Sequence, residues 1–299
     1  MAMITSGFAK LLAPGLYTVI NQGYQEVEDM LDLFYKVEGS ERSFEEEQVI
    51  TGLGLFVETA ELGETTYDDR LLGDYKKYTH LKSTLGIAIS EEMYDDDLYG
   101  EMKNYGRELG RSARETPLVA AFHLYNRAFN ASYTGPDGKV FCATDHPLAG
   151  GGTRSNRPTV AADLSLTALA QAETDMLNWQ DDRGKRIKLP PRVLLTGTAL
   201  KRKAFELTKS EYNPEAVERA ANYVRSMGLQ SYACPYITSA KQWFLGTDKQ
   251  NTYLRWWWRK RFSVRMWEDM DRGALRARGM YRSSSGWTTS LGWWGSPGL

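Results

Sequence analysis

The residues with the clearest chemical potential lie close together. Cys142, Asp145 and His146 offer a nucleophile, a carboxylate and a base inside the segment Phe141-Cys142-Ala143-Thr144-Asp145-His146-Pro147-Leu148. Their spacing argues against catalysis, because a catalytic Cys and His normally come from distant parts of a chain, so that the fold sets their separation. Here both occupy one short strand and turn bordered by Pro147, where a half-buried thiol and a turn-capping Asp or His account for them. A cysteine hydrolase is the least supported function. The three histidines, His80, His123 and His146, fall at no metal-ligand spacing, so no metal site is expected. Gly150-Gly151-Gly152-Thr153 lacks the lysine and the spacing of a phosphate loop and reads as a flexible turn. No cofactor is implied.

Residues 253–266 offer a different chemistry. Arg255, Arg259, Arg261 and Arg265 interleave with tryptophans, a composition that can bind nucleic acid by charge and stacking. Two features weigh against a nucleic-acid-binding module as the main function. Alternation puts Leu254, Trp256, Trp258, Phe262, Val264 and Met266 on one strand face, broken only by Lys260, which assigns most of the aromatics to a core. The 37 basic side chains against 38 acidic ones also give no bulk attraction for a polyanion.

The remaining candidates act by charge. Glu61, Glu64, Tyr67, Asp68, Asp69, Arg70 and Asp74 crowd a polar tip between two period-two runs, Val49 to Val57 and Tyr75 to Ile89, so residues 48–89 are expected to form a long hairpin. A two-stranded ribbon is marginal alone in water and needs a surface to lie on. By default the acid run is a solvated loop; read functionally, it is a charged contact with a neighbouring subunit.

The elements that must carry these residues follow from hydrophobic period. Residues 1–47 are loosely helical, with Leu16, Val19, Ile20 and Tyr24, then Met30, Leu31, Phe34 and Tyr35, at helical spacing. Breaks at Pro14, Gly15, Gly23 and Gly39 make this segment look like an arm that borrows a neighbour's surface, with an N-terminal helix pair packed on its own domain as the alternative. Ser90 is an N-cap, and Glu91, Glu92, Asp95, Asp96 and Asp97 suit the positive end of a helix dipole. The stripe Leu98, Met102, Tyr105 and Leu109 resumes as Leu118, Phe122, Tyr125 and Phe129, giving a long helix over residues 90–130 that Pro117 should kink or restart. Gly106 and Gly110 share one face of it, which lets another backbone approach closely. Residues 162–251 have their own mixed core, with helices expected at 166–179, 199–207 and 215–227 and a buried strand at 190–195. The two cysteines, Cys142 and Cys234, suit a reducing cytoplasm, and no apolar run approaches the roughly 18 residues a membrane span needs.

Several segments carry a family resemblance when taken in order: Ser43-Phe44-Glu45-Glu46, Thr66-Tyr67-Asp68-Asp69, Tyr78-Thr79-His80, Leu85-Gly86-Ile87-Ala88-Ile89-Ser90-Glu91-Glu92, Asn126-Arg127-Ala128-Phe129-Asn130 and the Phe141 to Leu148 segment. Together they resemble the major capsid proteins of tailed bacteriophages, close to the Mu-like major head subunit group. The resemblance covers most of the chain and weakens after about Pro190. It implies an α+β fold of the Hong Kong 97 type: an N-arm (1–47), an extended β-hairpin loop (48–89), a peripheral domain with a long spine helix (90–161 and 252–299) and an axial domain (162–251). It further implies a non-enzymatic subunit that self-assembles into the pentamers and hexamers of an icosahedral head. The implied partners are further copies of the chain, scaffolding, portal and decoration proteins, and packaged double-stranded DNA contacted non-specifically, with no membrane. The implied location is the virion shell, after synthesis in the bacterial host cytoplasm. No motif for isopeptide crosslinking is assignable, and a short N-terminus favours a separate scaffolding protein.

Overall fold

The computed structural model describes residues 6–96, 100–215 and 220–299. In chain order these form α1 (Ser6–Glu26), α2 (Leu31–Phe34), β1 (Lys36–Gly39), β2 (Phe44–Ile50), β3 (Leu72–Thr79), β4 (Leu81–Ser90), α3 (Glu91–Asp95), α4 (Glu101–Asn126), β5 (His146–Pro147), β6 (Thr153–Arg154), α5 (Leu166–Leu177), β7 (Val193–Gly197), α6 (Lys201–Lys209), α7 (Tyr223–Ser226), β8 (Gln230–Cys234), β9 (Trp243–Gly246), β10 (Leu254–Asp269), β11 (Ala274–Trp287) and β12 (Trp293–Ser296). They divide into two compact units. The first comprises residues up to Glu45, Tyr78–Ala121 and Trp256–Ser285; the second comprises Glu46–Lys77, Phe122–Arg255 and Gly286–Leu299.

The first unit is a four-stranded sheet in the order β1-β10-β11-β4. β4 runs antiparallel to β11, with Ser90 opposite Ala274 and Leu81 opposite Ser283. One sheet face is covered by α1 and α4, where Leu16, Ile20, Ile89, Leu109, Leu275 and Ala277 are buried against Phe262, Val264 and Met266. The two helices meet backbone to backbone. A Cβ placed on Gly110 would stand 2.0 Å from the Ile20 carbonyl oxygen, and one on Gly23 2.1 Å from that of Arg107. Each helical glycine costs about 1 kcal/mol relative to alanine, so these are retained for the approach they allow. Charge then locks the crossing: Glu26 pairs with Arg107 at 3.2 Å and Arg111 at 2.5 Å, and Asp29 with Arg114 at 2.7 Å. Tyr24 accepts a hydrogen bond from Arg114 and stacks on Phe262 at 5.0 Å between ring centres. Leu31, Phe34 and Tyr35 are also buried in this unit. From Leu16 on, the N-terminal segment therefore packs on its own unit, where the sequence reading expected it to need a neighbour.

Three further expectations change. Ser90 does cap a helix, its Oγ accepting the Met93 N–H at 3.1 Å, but that helix is α3 and ends at Asp95. The long helix starts at Glu101, after Gly100 at φ +73°, and ends at Asn126. It spans about 39 Å at 1.5 Å per residue and runs through Pro117 without restarting. Asp97 and Leu98 lie outside the described residues. The hairpin is also shorter than the period-two runs imply. Only β2 and β3 pair with each other, residues 51–71 between them are irregular, and after His80 the chain leaves for the other sheet as β4. His80 makes the switch point: it is buried, with Nε2 2.9 Å from Ser40 Oγ and Nδ1 2.9 Å from Ser284 Oγ.

The second unit contains a sheet in the order β12-β9-β7-β8, in which β7 and β8 are parallel and the other pairs antiparallel. Its core joins Leu169, Met176, Leu194, Leu207, Val224, Trp243 and Trp294. The helix expected over 215–227 is represented among the described residues only by α7, because Asn222 caps at that point. Its Oδ1 accepts from the Val224 N–H at 3.0 Å while its amide donates to the carbonyls of Leu207 and Ser210. No helix among the described residues is long and apolar enough to cross a membrane.

Two glycine substitutions separate approach from propensity. Gly15 has open space around its Cβ position in α1, so Gly15→Ala is expected to raise stability by about 0.5–1 kcal/mol. Gly110→Ala, which drives a methyl into the α1 backbone, is expected to lower it by about 3 kcal/mol. Denaturant unfolding of the two variants checks both signs.

Candidate functional site

Burial settles the chemistry of the cysteine segment. Cys142 is fully buried, its N–H donates to the Ala128 carbonyl at 2.9 Å, and burial pushes its thiol far above the ordinary range. A thiol held protonated is not a nucleophile. Asp145 turns away to Lys139, whose hydrogen bond holds the carboxyl below its usual range. His146 takes different partners. Its Nδ1 lies 2.5 Å from Asp137 Oδ2, and its Nε2 3.1 Å from Asn156 Oδ1.

Asn156 is the hub of this cluster and was not anticipated from sequence. It is fully buried; its amide donates to the carbonyls of Phe141 at 2.8 Å and Trp293 at 3.1 Å, and its Oδ1 accepts the Ala143 N–H at 2.8 Å. Two carbonyl acceptors fix which end of the side chain is nitrogen, so Oδ1 must face His146 and Nε2 must donate to it. The cluster ties the 135–138 turn, the 141–146 segment and β12 together. Of its members, His146 stands out in the sequence, as a base or turn cap, whereas Asn156 does not. The glycine run likewise serves packing: a Cβ on Gly150 would lie 1.9 Å from the Asp182 carbonyl oxygen, and Gly151 has φ +96°. His123 is exposed, His80 is pinned between two serines, and no group of three or more potential metal ligands occurs among the described residues.

The charged loop is held at its base and left bare at its tip. Asp68 Oδ2 accepts the Gly54 N–H at 2.7 Å, and both Asp68 oxygens lie 2.8 Å from Arg183 Nη1; together these hold the Asp68 carboxyl below its usual range. Lys185 donates to the Leu53 carbonyl at 2.8 Å, and Arg183 to that of Asp69. Beyond these anchors Phe56 and Leu62 are completely exposed, and Leu55 and Tyr67 nearly so. Glu61, Glu64, Tyr67, Asp69 and Arg70 all lie on this open surface. Asp68 is engaged by Arg183. Asp74 lines a cavity of about 480 Å³ with Arg154, Asp181, Asp182, Tyr253 and Thr289. There partial burial, then repulsion from Asp137 and Asp182, pushes its carboxyl up to about 6.

The arginine strand divides as its alternation predicts. Trp256 and Trp258 are buried, edge-on to Tyr35 and Tyr281 respectively, and are not available to stack on bases. Arg255 is paired with Glu47 at 2.7 Å. The opposite face carries Arg259, Arg261, Arg265 and Trp267 from β10.

A bare, partly apolar loop is the kind of surface by which proteins pack against copies or partners. The family model for phage capsid protein matches residues 74–288, and the chain belongs to that family. Solved structures agree in fold. The virus-like particle from Pyrococcus furiosus matches with TM-score 0.54 at 9% identity, covering 95% of this chain and 98% of that one. The capsid of bacteriophage JBD30 matches with TM-score 0.56 at 14% identity over 71% and 92% of the two chains, and a chain of Microbacterium phage Oxtober96 with TM-score 0.52 at 12% identity over 90% and 91%. Comparison with curated proteins finds no match. The protein has the Hong Kong 97-type fold and is a structural component of a phage head shell, located in the virion.

Asp74 and Asn156 yield opposite predictions. A carboxyl raised to about 6 is destabilising once ionised, so its contribution is most favourable at low pH and is lost as pH rises from about 4 through 6. Asp74→Asn is expected to stabilise the protein by about 1–2 kcal/mol at pH 7, after allowing for partial exposure, and not at pH 4. Asn156→Ala strands buried groups and is expected to cost about 3 kcal/mol or more. Unfolding curves at the two pH values measure both.

Proposed function

We propose that this chain is the major capsid subunit, closing pentamers and hexamers into an icosahedral head around double-stranded DNA, and that it works by assembly without catalysis. The observation that carries this reading is the loop of residues 51–71. Its large apolar side chains stand fully in water although its base is anchored, an arrangement that a lone soluble protein does not favour and that a neighbouring subunit would relieve. Many modest contacts repeated around a closed shell then add to a stable whole.

In this reading residues 1–47 serve as the N-arm, 48–89 as the extended loop, 90–161 with 252–299 as the peripheral domain and 162–251 as the axial domain. Glu61, Glu64, Tyr67, Asp69 and Arg70 are the contact residues, with Asp68 and Asp74 setting the loop's base. Scaffolding and portal proteins are the expected partners during assembly, and the packaged DNA is met without sequence preference. The JBD30 capsid is decorated with minor capsid protein trimers, and a decoration protein is proposed here by analogy. The buried, protonated Cys142 supports the absence of a cysteine-based activity.

Electron microscopy of the purified protein tests the reading. Shells, tubes or capsomers are expected, and a uniform monomer at high concentration would overturn it. Replacing residues 53–67 by a short Gly-Ser linker is expected to leave a folded protein, judged by an unchanged melting transition, that no longer assembles.

A further inference from the structure

We propose that His80 is a proton-operated clasp on the stems of the hairpin β2–β3: neutral, it ties both stems to β11, and protonated, it lets them go. The clasp lies within the first unit of a single chain and does not depend on the assembly reading above. One stem is residues 40–43, ahead of β2, and the other is His80, directly after β3. His80 is only 5% exposed. Its Nε2 stands 2.9 Å from Ser40 Oγ and its Nδ1 2.9 Å from Ser284 Oγ of β11, so one ring joins three segments. Backbone bonds run alongside. The His80 N–H donates to the Ser43 carbonyl at 3.4 Å, and the Ser40 N–H to the Trp258 carbonyl at 3.0 Å.

The partners of Ser40 fix where the ring hydrogen sits. Ser40 Oγ is 2.6 Å from Glu45 Oε1 and 3.5 Å from the Arg42 carbonyl oxygen, so its single hydrogen goes to the carboxylate. The Arg42 N–H donates to the same Oγ at 3.1 Å. Towards the ring, Ser40 can therefore only accept. Nε2 carries the hydrogen, Nδ1 is bare, and the Ser284 hydroxyl donates to it. This chain of donors, from Ser284 to His80 to Ser40 to Glu45, is complete only with a neutral imidazole. A second ring proton sits on Nδ1, where it meets the Ser284 hydroxyl hydrogen and forces that hydroxyl to turn. The surroundings resist the charge as well. Burial is the strongest influence and pushes the imidazole below its ordinary 6.5; Glu45 of β2 pulls it up, and Arg282 of β11 and Arg259 of β10 push it down. An opened stem is free of these constraints and takes up the proton more readily. The clasp is therefore at full strength above about pH 6.5 and weakens as pH falls below that value, until the clasped ring is itself protonated.

Hydrogen exchange of the full-length protein from about pH 8 to about pH 5, corrected for intrinsic rates, tests the clasp. Peptides containing the Ser40, Arg42 and His80 amides report on it. Their protection is expected to fall by up to about tenfold for each pH unit below 6.5, while peptides of α4 and β7 keep theirs. His80→Gln, whose amide can donate to Ser40 and accept from Ser284 but takes up no proton, is expected to abolish that pH dependence. Two charge variants keep His80 and read its titration, so they decide the matter even where His80→Gln fails to fold. Glu45→Gln removes the charge that favours the proton and should deepen the loss of protection at pH 5. Arg282→Gln removes a charge that opposes it and should make the loss shallower. A histidine that only fills space produces neither shift. Protection independent of pH in the wild type, a pH dependence that survives in His80→Gln, loss spread equally over α4, or the same loss in both charge variants overturns the proposal.

Discussion

The first unit depends on a contact that no side chain makes: the backbones of α1 and α4 touch at Gly23 and Gly110, while Gly106 makes room for the Leu16 side chain. Close approach brings Leu16 and Ile20 down onto Ile89, Leu275 and the Phe262 to Met266 face of the sheet, so that a short, interrupted apolar stripe becomes a core. Without it the N-terminal segment has too little apolar surface to offset its own ordering entropy. The crossing also determines what remains exposed. Two helices cover one face of the sheet, and the face left over is the arginine-bearing one.

The second unit solves a related problem with polar groups. Turn, strand and chain end meet at a point where backbone carbonyls would be buried without partners, and one asparagine satisfies Phe141, Ala143 and Trp293 while orienting His146 against Asp137. Such a fully satisfied network favours one arrangement of its segments over slipped alternatives, since each slip strands several groups at once. The rings of Phe141 and Trp287 meet edge-on at 5.4 Å beside it, and Phe141, His146, Asn156 and Trp287 are all buried.

How much of this was legible follows from the range of each signal. The Ser90 cap, the glycine face of the long helix and the alternation of Leu254 to Met266 are local patterns, and each appears where the sequence places it. The end of the hairpin was not legible, because period-two alternation continues through His80 while the event that divides the strand is its bonding to Ser40 and Ser284, 40 and 204 positions away. Asn156 was silent for the same reason: its partners come from residues 141, 143, 146 and 293. The acidic tip was legible as charge. Its anchoring by Arg183 was not, since nothing near Asp68 announces a partner 115 residues on.

A subunit that must first fold alone and then join a shell faces competing demands, and the loop meets both. Tight anchoring of Asp68, Asp69 and Leu53 to the 181–185 turn fixes where the loop leaves the fold, which on the proposed reading limits the entropy it would lose on docking. The tip is left uncommitted, so any single contact remains weak. Weak contacts suit a closed lattice, because a misplaced subunit can dissociate before its neighbours trap it, while a correctly placed one is held by several contacts at once. On the proposed reading, the apolar surface left in water at Phe56 and Leu62 is what gives the chain free energy to gain on assembly.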